Sequence, residues 1–144
     1  MNKKVLSILL FFVVLFSIGS QSFAASAPPL TSLRVTRVKS EKGGAEVIRE
    51  NQLSTKRDHG GSYIYVTTEE IGYSSQRYAK FDNQEAELID SKSIVGNNNI
   101  VIGWERTWKL FVYSNDNSNQ GDFTYKAISA NYPWNTMSTS IFIK

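Results

Sequence analysis

From residue 32 onward, apolar and polar residues alternate at a spacing of two. Ser32-Leu33-Arg34-Val35-Thr36-Arg37-Val38 interleaves aliphatic side chains with charges, which is the pattern of a strand with one wet face. Lys42-Gly43-Gly44 predicts a hairpin turn, with Glu46-Val47-Ile48-Arg49-Glu50 as the returning strand. Residues 51–61 are polar and irregular. Ser62-Tyr63-Ile64-Tyr65-Val66-Thr67-Thr68 consists of β-formers apart from its serine. Strands at 77–81 and 86–90 flank Asp82-Asn83-Gln84-Glu85, a second hairpin signature. Gly96-Asn97-Asn98-Asn99 predicts a turn before a strand at 100–102. In residues 104–113, Trp104, Trp108, Leu110 and Val112 share one face with Arg106 as the intruder, while Glu105, Thr107 and Lys109 take the other. Strands at 123–128 and 139–143 complete the set.

No segment carries sustained helical periodicity with caps. Seven to nine short antiparallel strands separated by Gly, Asn and Asp turns predict an all-β fold, a compact sandwich or barrel. Residues 32–144 form one domain in this reading. Residues 25–31, small and proline-rich, read as a flexible N-terminal tether.

The first 24 residues follow a different rule. Lys3 and Lys4 precede an apolar run over 5–18, and Ser22-Phe23-Ala24 places small residues where a signal peptidase cuts. Residues 1–24 read as a helical secretory signal peptide cleaved after Ala24. The run is shorter than the ~20 residues of a spanning helix, so no stable membrane insertion is expected after processing. The full chain has 16 Lys+Arg against 13 Asp+Glu. Removing Lys3 and Lys4 leaves 14 against 13, a net charge of +1. The bases concentrate in residues 34–57 and the acids in 58–105. Acids interrupt the basic half, so solvated strand faces explain it better than a nucleic-acid surface. There is no cysteine, hence no disulfide and no thiol chemistry. The domain rests on its core alone, which about 120 residues can supply.

His59, the only histidine, is the candidate base or nucleophile partner of a small secreted hydrolase, with Asp58 beside it. Neighbours in an extended chain point apart, so another carboxylate would have to orient the ring; Glu69, Glu70, Asp82, Glu85, Glu87 and Glu105 are the candidates. The competing reading is a turn in which Asp58 bonds its own backbone and Gly60 or Gly61 supplies a positive φ. One histidine and no cysteine exclude an ordinary zinc site. Residues 116–127 brush against a calcium loop, but Ala127 stands where its bidentate glutamate belongs. No metal and no cofactor are expected. No Gly-x-Ser-x-Gly elbow or phosphate loop occurs. Aromatic residues are the stronger lead: Trp134, with Tyr132 in Asn131-Tyr132-Pro133-Trp134-Asn135, lies in a loop where its ring is free to stack on a sugar or enter a partner's pocket.

The stretches QLSTKRDHGGSYIYVTTEEIGY, TWKL and NYPWNTMSTSIFIK resemble the YolA-like family of small secreted proteins of Gram-positive spore formers. The resemblance covers nearly all of the processed chain. It implies export to the medium or the cell wall and carries no catalytic residues over. The expectation is therefore an extracellular or wall-associated protein, leaning towards a non-enzymatic binding β-domain for cell-wall polymer, polysaccharide or protein. A His59 hydrolase and an exported toxin or competition factor are the alternatives.

Overall fold

Alternation along the chain produces nine strands, described in a computed structural model for residues 27–112 and 119–144. They are β1 (Ser32–Ser40), β2 (Gly44–Val47), β3 (Ile64–Ile71), β4 (Ser74–Phe81), β5 (Gln84–Glu85), β6 (Glu87–Val95), β7 (Val101–Leu110), β8 (Gly121–Ser129) and β9 (Thr136–Ile143). The signal peptide expected over 1–24 and part of the calcium-like stretch lie outside the described residues. Among those described there is no helix.

The strands form two antiparallel sheets, ordered β2-β1-β3-β7-β6 and β5-β4-β8-β9. The choice left open between barrel and sandwich falls to the sandwich, with β9 against β1 and β4 against β7. Each inner strand contributes every second residue to the layer between. In β8, Phe123, Tyr125 and Ala127 are buried while Asp122, Thr124 and Lys126 face water. Val38, Ile64, Val66, Leu110, Ile141 and Ile143 meet them from neighbouring strands. Trp108 is in this core, its indole N–H donating to Thr68 Oγ1 at 2.9 Å. Trp104 is only half-buried and meets Tyr73 edge-on at 6.5 Å.

Four expectations need correction. The strands read at 100–102 and 104–113 merge into one continuous β7 over Val101–Leu110, and Tyr113 lies outside the described residues. The hairpin at 82–85 closes β4 only onto the two residues of β5, pairing Lys80 with Glu85 and Phe81 with Gln84. Beyond Ala86 the chain crosses to the other sheet and β6 pairs with the open edge of β7, because that longer edge offers backbone partners along nearly its full length. The strand expected over 46–50 stops at Val47, since Ile48 turns into the core and Arg49 enters a turn closed by Gln52. The tether is docked over its described part: Leu30 is 2 % exposed, Tyr73 N–H donates to Pro28 O at 3.0 Å, and Leu30 N–H donates to Ser129 Oγ at 3.1 Å. Burying Leu30 against the sandwich offsets the entropy of ordering so short a segment.

The last strand is part of the core. Ile141 is 1 % exposed, so Ile141→Ala should lower the unfolding free energy by about 2–5 kcal/mol. Urea denaturation followed by tryptophan fluorescence measures this; a loss near zero would mean that β9 is not docked as described.

Candidate functional site

His59 lies in the irregular segment, which runs beside the end of β9. Thr55 N–H donates to Phe142 O and Phe142 N–H to Leu53 O, each at 2.9 Å, and His59 N–H donates to Lys144 O. This places the imidazole inside the protein, 0 % exposed. Its Nδ1 lies 2.9 Å from Ser40 Oγ and its Nε2 lies 3.3 Å from Glu46 Oε2. Gly43 N–H also donates to Ser40 Oγ at 2.9 Å. The Glu46 carboxylate can only accept, so Nε2 carries the proton that points at it, and in the neutral ring Nδ1 accepts from the Ser40 hydroxyl. The lysine-glycine turn is built around the ring: a Cβ on Gly43 would lie 2.6 Å from Nδ1.

Serine, histidine and glutamate here have the composition of a hydrolytic triad but not its access. Ser40 is 2 % exposed and Glu46 7 %, so the serine oxygen meets protein where a substrate would have to stand. The orienting carboxylate is Glu46, N-terminal to the histidine, and is none of the six carboxylates expected for that role. Asp58 faces outward and pairs with Lys42 at 2.5 Å, in place of the expected bond to its own backbone. Gly61 supplies the positive φ, at 102°. Gly60 is buried without one, its carbonyl accepting from Lys42 N–H at 3.0 Å. The candidate catalytic pair is thus separated, His59 into the core and Asp58 to solvent.

Glu46 holds this corner together. It accepts from Lys56 N–H and Gln52 Nε2 on one oxygen and from Arg57 N–H and His59 on the other. Burial pushes its carboxyl up, but the Lys56 and Arg57 amides, Gln52 and His59 outweigh this and hold it at about 2.

A second buried cluster was invisible in the motifs. Glu70 of β3, 0 % exposed, accepts from Ser74 Oγ at 2.5 Å and from Tyr125 O–H at 2.7 Å. Arg106 Nε donates to it at 3.3 Å from β7, and Arg77 Nε approaches within 3.4 Å from β4. Burial opposes the charge on Glu70, yet the two hydroxyls and two guanidinium groups keep its carboxyl below the usual range. Tyr125 moves the other way, raised by burial and by donating to a carboxylate. Arg106, the residue out of pattern on the apolar face of β7, also donates to Ser91 Oγ at 2.7 Å and lies 5.3 Å from the Trp104 ring centre. One charge on an otherwise apolar strand face was the available signal for this cluster.

The exposed chemistry is elsewhere. Tyr132 and Trp134, 80 % and 62 % exposed, lie on the β8–β9 connection. The connection is braced at several points: Ser129 N–H donates to Asn135 O at 2.8 Å, Trp134 N–H to Asn131 O at 2.9 Å, and Ala130 N–H to Tyr73 O at 2.8 Å. Asn135 Nδ2 donates to Leu30 O at 3.0 Å and Asn131 Nδ2 to Ala27 O, so the docked N-terminal segment clamps the loop. Trp134 has φ 58°, a left-handed backbone that is a true outlier for a bulky side chain.

Fold and sites define an all-β sandwich whose acid–base clusters are sealed inside and whose large aromatic rings stand on a braced loop. The chain belongs to the family described as domain of unknown function (DUF4879), whose model matches residues 25–143. Comparison with curated proteins gives no match.

Two variants test the buried clusters. A carboxyl held at about 2, against an ordinary value of 4.5, adds stability that is complete above pH ~4.5 and lost as pH falls towards ~2. The difference corresponds to about 3 kcal/mol at 1.36 kcal/mol per unit. The stability gap between the native protein and Glu46→Gln should therefore be largest near neutrality and shrink on acidification. A gap independent of pH in urea titrations would contradict the assignment. Glu70→Leu strands Arg106 in the interior and should cost about 3–5 kcal/mol. Combining it with Arg106→Met should recover much of that loss, since the buried charge goes too. An equal or larger loss in the pair would sink the account of Glu70 as a charge partner.

Proposed function

We propose that this protein is a secreted, non-enzymatic binding domain that contacts polymer or protein at or beyond the cell surface through Tyr132 and Trp134. The supporting observation is Trp134 itself. Trp134 is 62 % exposed in a left-handed backbone conformation, and such strain costs about 1–3 kcal/mol. Such strain persists where the surroundings enforce it and clusters at ligand contacts. The loop's hydrogen bonds fix the backbone that carries the rings before any ligand arrives, which lowers the entropy lost on binding. Large rings with a polar edge suit sugar faces as well as protein pockets.

The buried position of His59 favours this reading over the hydrolase, because a general base must come within hydrogen-bond reach of the substrate. Export rests on the leader-like residues 1–24 and on the family resemblance. It leads to a ligand outside the cell, where wall polymers and polysaccharides are abundant.

Binding and stability should separate at Trp134. In a pull-down on purified cell wall and insoluble polysaccharides, Trp134→Gly and Trp134→Ala should lose retention. The glycine variant should remain as stable as the native protein or gain up to about 1 kcal/mol, because glycine tolerates the backbone conformation. Undiminished retention in both variants would remove the loop from the binding surface.

A further inference from the structure

The outer face of the four-stranded sheet has a chemistry of its own. Register places Gln76, Ile128 and Thr136 in one row across β4, β8 and β9, then Tyr78, Lys126 and Ser138, then Lys80, Thr124 and Ser140. At its centre is a shallow basin of about 390 Å³ lined by Tyr78, Lys80, Thr124, Lys126 and Ile128. Tyr78 is 46 % exposed, and its hydroxyl is held by Gln76 Oε1 at 2.7 Å. Among the described residues neither Lys80 nor Lys126 has an ion-pair partner. Glu85 stands opposite Lys80 in the ladder without pairing to it, and Asp122 lies two residues from Thr124. These two carboxylates lie at the border of the face.

We infer that this basin binds a carboxylate-bearing polysaccharide, with a sugar ring on Tyr78 and Ile128, acid groups on Lys80 and Lys126, and hydroxyls on Thr124 and Ser138. Two free ammonium groups beside a tyrosine ring attract an anion that also has an apolar face. The row of hydroxyls extending onto β9 offers the donors and acceptors that a sugar's own hydroxyls need. Single-stranded nucleic acid fits less well, since successive bases require several stacking rings. The basin has one ring, and Arg77, the arginine of β4, turns inward to Glu70. The face continues into the aromatic loop, because Ile128 and Thr136 are the last paired residues before it. The inference rests on the reading of the molecule as an extracellular binding domain, but not on Trp134 as the contact.

Soluble polygalacturonate, titrated calorimetrically at low and at raised salt, is the direct probe. The native protein should bind it, more weakly as salt screens the ammonium groups. The double variant Lys80→Gln/Lys126→Gln, altered only at exposed positions, should bind about tenfold more weakly or worse, as expected for two lost charge-assisted contacts. Tyr78→Ala should weaken binding without changing its salt dependence. Absence of binding by the native protein, or unchanged binding by the double variant, overturns the proposal. Equal affinity for single-stranded DNA of matched charge also overturns it, because the site would then read charge alone. Trp134→Ala in the same titration and on neutral insoluble glucan reports on the loop separately, so either surface can fail without the other.

Discussion

The Glu70 carboxylate has no contact with water, and the alignment of the two sheets follows from keeping it charged. A buried anion without partners would cost several kcal/mol and would protonate or drag the strand outward. Glu70 comes from β3 and Arg106 from β7 in one sheet, while Ser74, Arg77 and Tyr125 come from β4 and β8 in the other. A slip of one residue along any of these strands would turn its member of the cluster to the opposite face. Apolar side chains supply most of the attraction between the layers and tolerate some rearrangement. The ionic cluster does not, so it selects one register from those that hydrophobic burial alone would allow.

Glu46 and His59 do the same for an irregular segment. Residues 51–61 have neither the periodicity nor the apolar content to hold a shape, yet Glu46 gathers the Lys56 and Arg57 amides while the backbone bonds to the end of β9. The imidazole fills the space that Gly43 leaves open. The Glu46 and Glu70 carboxylates are therefore engaged in structure, each held by several buried donors. The surfaces proposed for binding are a loop with two rings whose backbone is braced, and a sheet face of hydroxyls, lysines and a tyrosine. Recognition from such surfaces depends on positions fixed in advance. The two buried clusters hold the strands that carry those positions.

Much of this was legible in the chain because side chains in a strand alternate with a period of two whatever the partner strand. The alternation located β1, β3, β8 and β9 closely and put Trp104 and Trp108 on one face, of which the core takes Trp108 and leaves Trp104 half-buried. It located β7 as well, though in two pieces, since Gly103 interrupts the apolar run where the strand passes close to the Glu70 backbone. Propensity could not decide where β6 would pair. A hairpin signature at residues 82–85 describes a turn, and which sheet edge then captures the chain depends on the competing edges nearby. Arg106 was visible as an exception, but its partner lies 36 residues away on another strand.

The sequence by itself determined an all-β, cysteine-free domain and the prominence of an aromatic stretch around Trp134, and it narrowed the positive-φ turn residue to Gly60 or Gly61. These follow from local stereochemistry and from the tally of apolar residues. Only the tertiary structure decided that His59 faces Ser40 and Glu46 inside the core, that Leu30 is docked, and that Lys80, Lys126 and Tyr78 surround one basin. Those outcomes depend on strand order and on distances between residues far apart in the chain, for which a linear pattern holds no information.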